Sequence, residues 1–240
     1  MEDYYTKEFF HLLKTLNIFS ENRAYIFRGH SDYSWPLIPK SGREEYSKCY
    51  TTSFDDTVVF KAWKRYALHY IAKEPLNEWD WLTLAQHYGL ATRLLDWTKN
   101  PLNAIYFAVS ENFDKDGSIY VTKTYGKDII KEEKDPFNIT GFKIYFPSGI
   151  SSRIISQRGL FTISSKHNEA LEKQFPTRFK RIIIDKSSKK EILSQLEFYG
   201  INKASIYQDL DSLSEYLNDY LKNILPSSNK KIIIDKDLLS

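Results

Sequence analysis

The run from Gln86 to Val109, QHYGLATRLLDWTKNPLNAIYFAV, constrains this chain more than any other stretch. Gly89 can take a positive φ, so Gln86-His87-Tyr88 can end one helix and turn the chain into the next element. Thr92–Trp97 then reads as a short strand, apolar except for Arg93 and Asp96. Asn100-Pro101 is a helix start, with Asn as N-cap and Pro at the first helical position, where its missing N–H costs nothing. Leu102, Ile105, Tyr106 and Val109 share one face of that helix. Charged residues at a strand-to-helix junction are expensive to bury unless paired or used. The stretch is therefore expected to form the wall of a site.

The remaining chain alternates between the two hydrophobic periods. Apolar side chains at helical spacing predict an amphipathic opening helix over 4–19, and Ala24–His30 reads as a strand with Arg28 and Gly29 at its mouth. Residues 31–36 form a loop, and Pro36 and Pro39 keep 35–39 extended. Helices are expected over 53–72 and Glu78–Tyr88, and a strand over Gly117–Lys123 after the turn Asp114–Gly117. The polar run 126–140 reads as an exposed loop or insertion. Strand pieces come next at Phe142–Phe146 and Ile154–Ile155, and a β-rich run at Gln157–Ile163. Phe179–Asp185 is a strand, 187–199 a helix capped by Ser187 or Ser188, Leu210–Leu225 a long helix and Ile232–Ile234 a last strand. No linker is visible. The expectation is one α+β domain over 1–240, with a helical N-terminal part packed on a mixed, mainly antiparallel sheet.

Composition narrows the function. The chain holds 17 Tyr, 15 Phe and 5 Trp, aromatics whose polar edges suit stacking of planar ligands as well as plain cores. A net charge of +3 is too weak to argue for nucleic acid unaided. Cys49 is the only cysteine, which rules out an internal disulfide, and the five histidines lack metal-ligand spacing, so no metal is expected. The N-terminus carries acids before its apolar run and no cleavage pattern, and no apolar run approaches the roughly 20 residues of a membrane span. A cytoplasmic protein with no membrane partner is expected.

Phe27-Arg28-Gly29, Trp35-Pro36-Leu37, the run LAQHYGLATRLLDWT over 84–98, Pro101, Ala104–Ala108, Gln157–Phe161, Gly200-Ile201 and Tyr207–Asp211 together resemble the FRG-domain family. The resemblance covers roughly 20–220. Departures are Ala91, Gln208 and Ser212, where the family usually has Pro, Pro and Gly. Members look like bacterial and phage proteins suspected of roles in defence or toxicity. A second resemblance is to ADP-ribosyltransferase folds: Arg-Gly ending an early strand, then a strand with Asp-Trp-Thr running into a helix with Ala-x-x-Phe-Ala. It implies that Arg28 and Gly29 hold NAD, that Thr98 supports them, and that a late-strand acid favours an oxocarbenium-like transition state.

Each candidate has two readings. Arg28 can grip a phosphate in bidentate fashion or pair with Asp96. Gly29 is a nicotinamide clamp or a turn, and His30 touches a ribose hydroxyl or is structural. Tyr33 and Trp35 stack a ring or cap the core, and His87 faces the pocket or packs a helix end. Arg93 and Asp96, three apart, face opposite sides of a regular strand, so Asp96 is expected to meet Arg28 or a helix N-terminus in an orienting role. By order, Gln157 holds the place of the acid; it can bond a ribose but cannot ionise, while Glu169, Glu172 and Glu197 fall on loops or helices. The catalytic set is then Arg28, Asp96 and Gln157. The cofactor-binding set is Arg28, Gly29, His30, Tyr33, Trp35, His87 and Thr98.

The function expected is an NAD-dependent ADP-ribosyltransferase-like toxin or anti-phage defence effector acting on a nucleic acid or protein, with an antitoxin or phage protein as a further partner. The alternative is a module that binds a nucleotide or single-stranded nucleic acid without catalysis. A metal-dependent nuclease ranks last, because Asp32, Asp55, Asp56 and Asp96 are dispersed in sequence.

Overall fold

A computed structural model describes residues 2–21, 24–130, 134–147 and 158–224. Its strands are β1 (Glu2–Thr6), β2 (Tyr25–His30), β3 (Leu95–Thr98), β4 (Gly117–Lys123), β5 (Phe142–Tyr145), β6 (Gly159–Ser164) and β7 (Phe179–Ile184). Its helices are α1 (Phe9–Asn17), α2 (Glu44–Ser47), α3 (Asp56–Ala67), α4 (Glu78–His87), α5 (Pro101–Val109), α6 (Leu171–Gln174), α7 (Lys189–Phe198), α8 (Lys203–Tyr207) and α9 (Leu210–Ile224). The strands form one mixed sheet in the order β1-β7-β4-β2-β3-β6-β5, parallel only between β1 and β7. Among the described residues no helix is long and apolar enough to cross a membrane.

The α+β expectation holds, but the helical first third does not: β1, β2 and β3 all precede residue 100. β1 replaces the start of the expected opening helix. Its Glu2–Thr6 pairs with Lys180–Ile184 of β7, a partner too distant in sequence for local periodicity to reveal. The expected helix over 53–72 is α3 alone, begun by Asp55, whose carboxylate accepts from Thr57 and Val58 N–H. The strand expected over 92–97 starts at Leu95, and the run 126–140 is not wholly exposed: Asp128, Ile130 and Ile139 are buried. Ser188 precedes α7 but makes no side-chain cap; Asp185 caps the preceding turn through Ser187 N–H. Gln208 takes φ +52, a conformation closed to proline. The expected strands at Ile154–Ile155 and Ile232–Ile234 lie outside the described residues, as does Gln157.

Three apolar clusters share the sheet. On one face α1, α5 and α7 cover the β1-β7-β4-β2 half, around Phe27, Ile105, Val109, Ile119 and Ile182. On the same face α3 and α4 cover the other half, around Phe60, Trp79, Leu82, Phe161 and Ile163. The opposite face buries Ile26, Leu95, Trp97, Tyr120 and Phe179 beneath Leu37 and Leu171. The boundary between the two helical layers falls over the β2–β3 seam.

The loop leaving β2 is tied down by a buried lysine. Lys189, at the start of α7, is fully buried and donates from Nζ to the carbonyls of Ser31, Glu111, Asn112 and Lys115 at 2.5–3.3 Å. Replacing Lys189 with Met leaves these acceptors without their donor and is expected to cost about 3 kcal/mol. Urea unfolding measures it; an unchanged midpoint would show that the ammonium is not the tie.

Candidate functional site

β2 pairs with β4 over six residues and β3 with β6 over four, but β2 and β3 share only Phe27↔Thr98. Beyond that pair the sheet opens. Arg28 is in register with Tyr120 and Asp96 with Phe161, which places the two side chains on opposite faces. The Arg28 guanidinium reaches through the opening: Nη1 donates to the Asp96 carbonyl at 2.6 Å and lies 3.7 Å from Asp96 Oδ2. The Arg28 side chain is 16% exposed and that of Asp96 is 63% exposed.

His30 completes the Arg28 setting. Arg28 Nε donates to His30 Nε2 at 2.8 Å, and His30 Nδ1 lies 3.1 Å from the Trp35 carbonyl. These partners require Nε2 to accept and Nδ1 to donate, which defines a neutral imidazole. Burial, and then the charges of Arg28 and Arg43, hold the His30 pKa well below its ordinary 6.5. Burial also lowers Arg28; Asp96 opposes that shift and Arg43 adds to it. A largely buried guanidinium beside a second arginine and a neutral histidine keeps a positive charge that an anion can offset.

Two cavities meet at this arginine. The first, about 290 Å³, lies in the seam between Gln86 and His87 of α4, Asp96 and Thr98 of β3, and Phe107 of α5. The second, about 590 Å³, lies at the end of β2 between Trp35, Arg43, Glu111 and Tyr207. Arg28, Gly29 and Phe107 line both.

The structure therefore sorts the expected site residues. Arg28, Gly29, His87, Asp96 and Thr98 line the seam cavity, while His30 and Trp35 line the second. Tyr33 is in neither lining set; its ring lies 6.0 Å from the guanidinium of Arg181, a β7 residue. Gly29 is more than a turn. A Cβ there would sit 2.0 Å from the Ala104 carbonyl oxygen, so glycine is required for β2 to pack against α5. Thr98 also accepts from Asn100 N–H at 2.9 Å, next to the cap that Asn100 makes to Leu102 N–H.

Arg93 and Asp96 part company, as their spacing implies. Arg93 makes a buried bidentate pair with Asp56 of α3 at 2.6 and 2.9 Å and anchors that helix to the sheet. The late glutamates do not serve: Glu172 accepts from Leu37 N–H, Glu169 faces Lys166, and Glu197 lines a different groove. Sequence reasoning passed over Gln86, whose amide donates to Asp96 Oδ1 at 3.0 Å while its carbonyl accepts from Thr92. Its place one residue before His87 at the helix end was the available signal. Arg43, Phe107 and Tyr207 were also missed, since nothing local links them to Arg28.

The protein is thus an α+β protein with a cleft centred on an arginine where its sheet opens. Residues 23–117 match the family model of the FRG domain. No curated protein and no solved structure matches the chain.

The histidine gives a pH prediction. His30 binds a proton more readily unfolded than folded, so stability should fall as pH drops below about 6.5 towards its folded pKa. Burial lowers His167 too, and that residue contributes a slope of the same sign. His30→Gln should remove up to about 1.4 kcal/mol per pH unit from that slope. Urea unfolding at pH 7, 6 and 5 tests it; an unaltered slope in the variant would mean that His30 binds its proton equally well in the folded and unfolded chain.

Proposed function

We propose that the chain binds NAD across the opened seam and transfers its ADP-ribose to an acceptor. The observation that carries the reading is Arg28 standing between two cavities, with Arg43 beside it. That layout suits a dinucleotide: a pyrophosphate at the arginine, one ring on either side, and walls supplied by Phe107, Trp35 and Tyr207. The cavities are of ordinary ligand-pocket size, on the order of 300–1,000 Å³. The order Arg-Gly, Asp-Trp-Thr, Ala-x-x-Phe-Ala, which resembles ADP-ribosyltransferases, supports the same reading.

Asp96 is the carboxylate that lines the seam cavity. In this reading it stabilises the positive charge that develops at the ribose C1′ as the bond to nicotinamide breaks and its electron pair leaves with the ring. Arg28 and Gln86 hold the carboxylate in place. The acceptor is a nucleic acid or a protein, and the setting that the family resemblance suggests is a toxin or anti-phage defence effector with its own controlling partner. One observation favours the second reading, a nucleotide or single-stranded nucleic-acid binding module. Asp96 is already engaged by Arg28 and Gln86, and no late glutamate among the described residues joins it.

The test is nicotinamide release from NAD, alone and with RNA, DNA or cell lysate. Arg28→Ala should lower release at least about 100-fold while the melting temperature stays within a few degrees, as expected for loss of a charged ligand contact. Release unaffected by Arg28→Ala removes the anchor of the proposal. A thermal shift by NAD without release in any mixture supports the binding module, and affinity for single strands that collapses with salt would place nucleic acid there instead.

A further inference from the structure

The last described helix, α9, turns a leucine stripe away from the body. Read as heptads from Leu210, its a and d positions are Leu210, Leu213, Leu217 and Tyr220, with Leu221 alongside at e. Leu210, Leu213, Leu217 and Leu221 are 80, 42, 48 and 58% exposed, and Tyr220 is 41% exposed. The neighbouring face does the packing: Ser212 is buried, Glu215 pairs with Lys203 of α8, and Tyr216 and Asp219 line the groove towards α7, with Tyr220 at the border between the two faces. Among the described residues, the fold thus uses one side of α9 and leaves the leucines of the other exposed.

We infer that this stripe pairs with the same stripe of a second copy, α9 antiparallel to α9 about a two-fold axis near Leu217. Three observations favour a self-partner. The stripe occupies consecutive a and d positions over two heptads, with Leu221 widening it at e. Its flanking e and g positions, Ser214, Tyr216 and Leu221, carry no charge, so an antiparallel pair meets no like-charge repulsion and no charge code selects a different partner. Asp211, Glu215, Asp219 and Lys222 all fall on outer positions. Finally, the exposed stripe amounts to roughly 500 Å² per copy, or on the order of 1,000 Å² for the pair, the threshold of a specific interface.

The pairing bears on the site by continuity, independently of which ligand occupies it. Tyr207 lines the second cavity and ends α8, and only Gln208 and Asp209 separate it from α9. A clamped α9 braces that wall.

Analytical ultracentrifugation of the full chain from about 1 to 100 µM tests the inference. A monomer–dimer equilibrium is expected, weakened at least about 100-fold by the double variant Leu213→Glu, Leu217→Glu. Circular dichroism and melting temperature of the dilute variant should match the wild type, because these side chains are exposed within one copy. In a Cys49→Ser background, Leu217→Cys should oxidise to a covalent dimer and Leu213→Cys should not; cross-linking at both positions, as a parallel pair gives, or at Leu213→Cys alone would overturn the antiparallel arrangement. A protein that is monomeric throughout, a dimer untouched by the double variant, or a monomer whose melting temperature the variant lowers would each overturn the pairing. The last outcome would mean that the chain covers its own stripe.

Discussion

The site depends on a guanidinium placed where strand pairing ends. β2 and β3 share one residue pair, and just beyond it Arg28 meets the carbonyl of Asp96 across the widened gap. A backbone acceptor in a sheet must find a donor or lose the desolvation free energy of going without. Here a side-chain cation supplies it, which leaves the rest of the guanidinium facing the cavities. Its charge is only partly offset, because Asp96 is exposed and 3.7 Å away and Arg43 pushes in the opposite sense. A cation held this way gains from an anion that enters from solvent, and gains more as that anion displaces water.

Two glycines and two alanines set the opening. Gly29 of β2 leaves no room for a Cβ beneath Ala104 and Ala108, and Gly117 of β4 leaves none beneath the Ala108 carbonyl. α5 therefore sits unusually close to β2 and β4, while α4, held with α3 by the buried Arg93–Asp56 pair, sits over the other half of the sheet. The two helical layers cannot merge across the seam. Phe107 on one side and Gln86 and His87 on the other become its walls. The residues that resemble the family, Arg28-Gly29 and Ala104 to Ala108, are in this light one strand–helix contact seen from two places in the chain.

Much of this was legible because it is local. Asn100-Pro101 announced α5, the turn before Gly117 announced β4, and Gly89, with φ +88, ended α4 where its sequence said it would. Arg93 and Asp96 do not pair with each other, as their spacing suggested, but the reason is different: Arg93 precedes β3 and meets Asp56 of α3, a helix of the layer that Asp96 also faces. What failed was non-local. β1 is parallel to a strand nearly 180 residues away, and its EDYYT runs into α1 so that the two read as one helix. Ile130 and Ile139 looked exposed inside a polar run, yet they are buried against the α3–α4 layer. Tyr33 and Trp35, two residues apart, read as one wall; Tyr33 turns to Arg181, and Trp35 is drawn to the cavity by the bond between its carbonyl and His30.

The distribution of charge argues for the kind of ligand more sharply than any one residue does. His30 could have been a third cation, but burial and its two arginine neighbours keep it neutral, so its ring nitrogens fix Arg28 and the Trp35 loop in place. The positive charge is thus supplied by Arg28, which lines both cavities, and by Arg43, which lines the second. Carboxylates stand to either side, Asp96 in the seam and Glu44 and Glu111 at the second cavity. A uniformly anionic ligand, such as a long phosphate backbone, would meet repulsion at both ends. A molecule anionic at its centre, with hydroxyl groups and flat rings towards its ends, would meet donors, acceptors and aromatic faces in the matching order. On the proposed reading, that pattern suits a dinucleotide in the cleft better than a nucleic-acid strand laid through it.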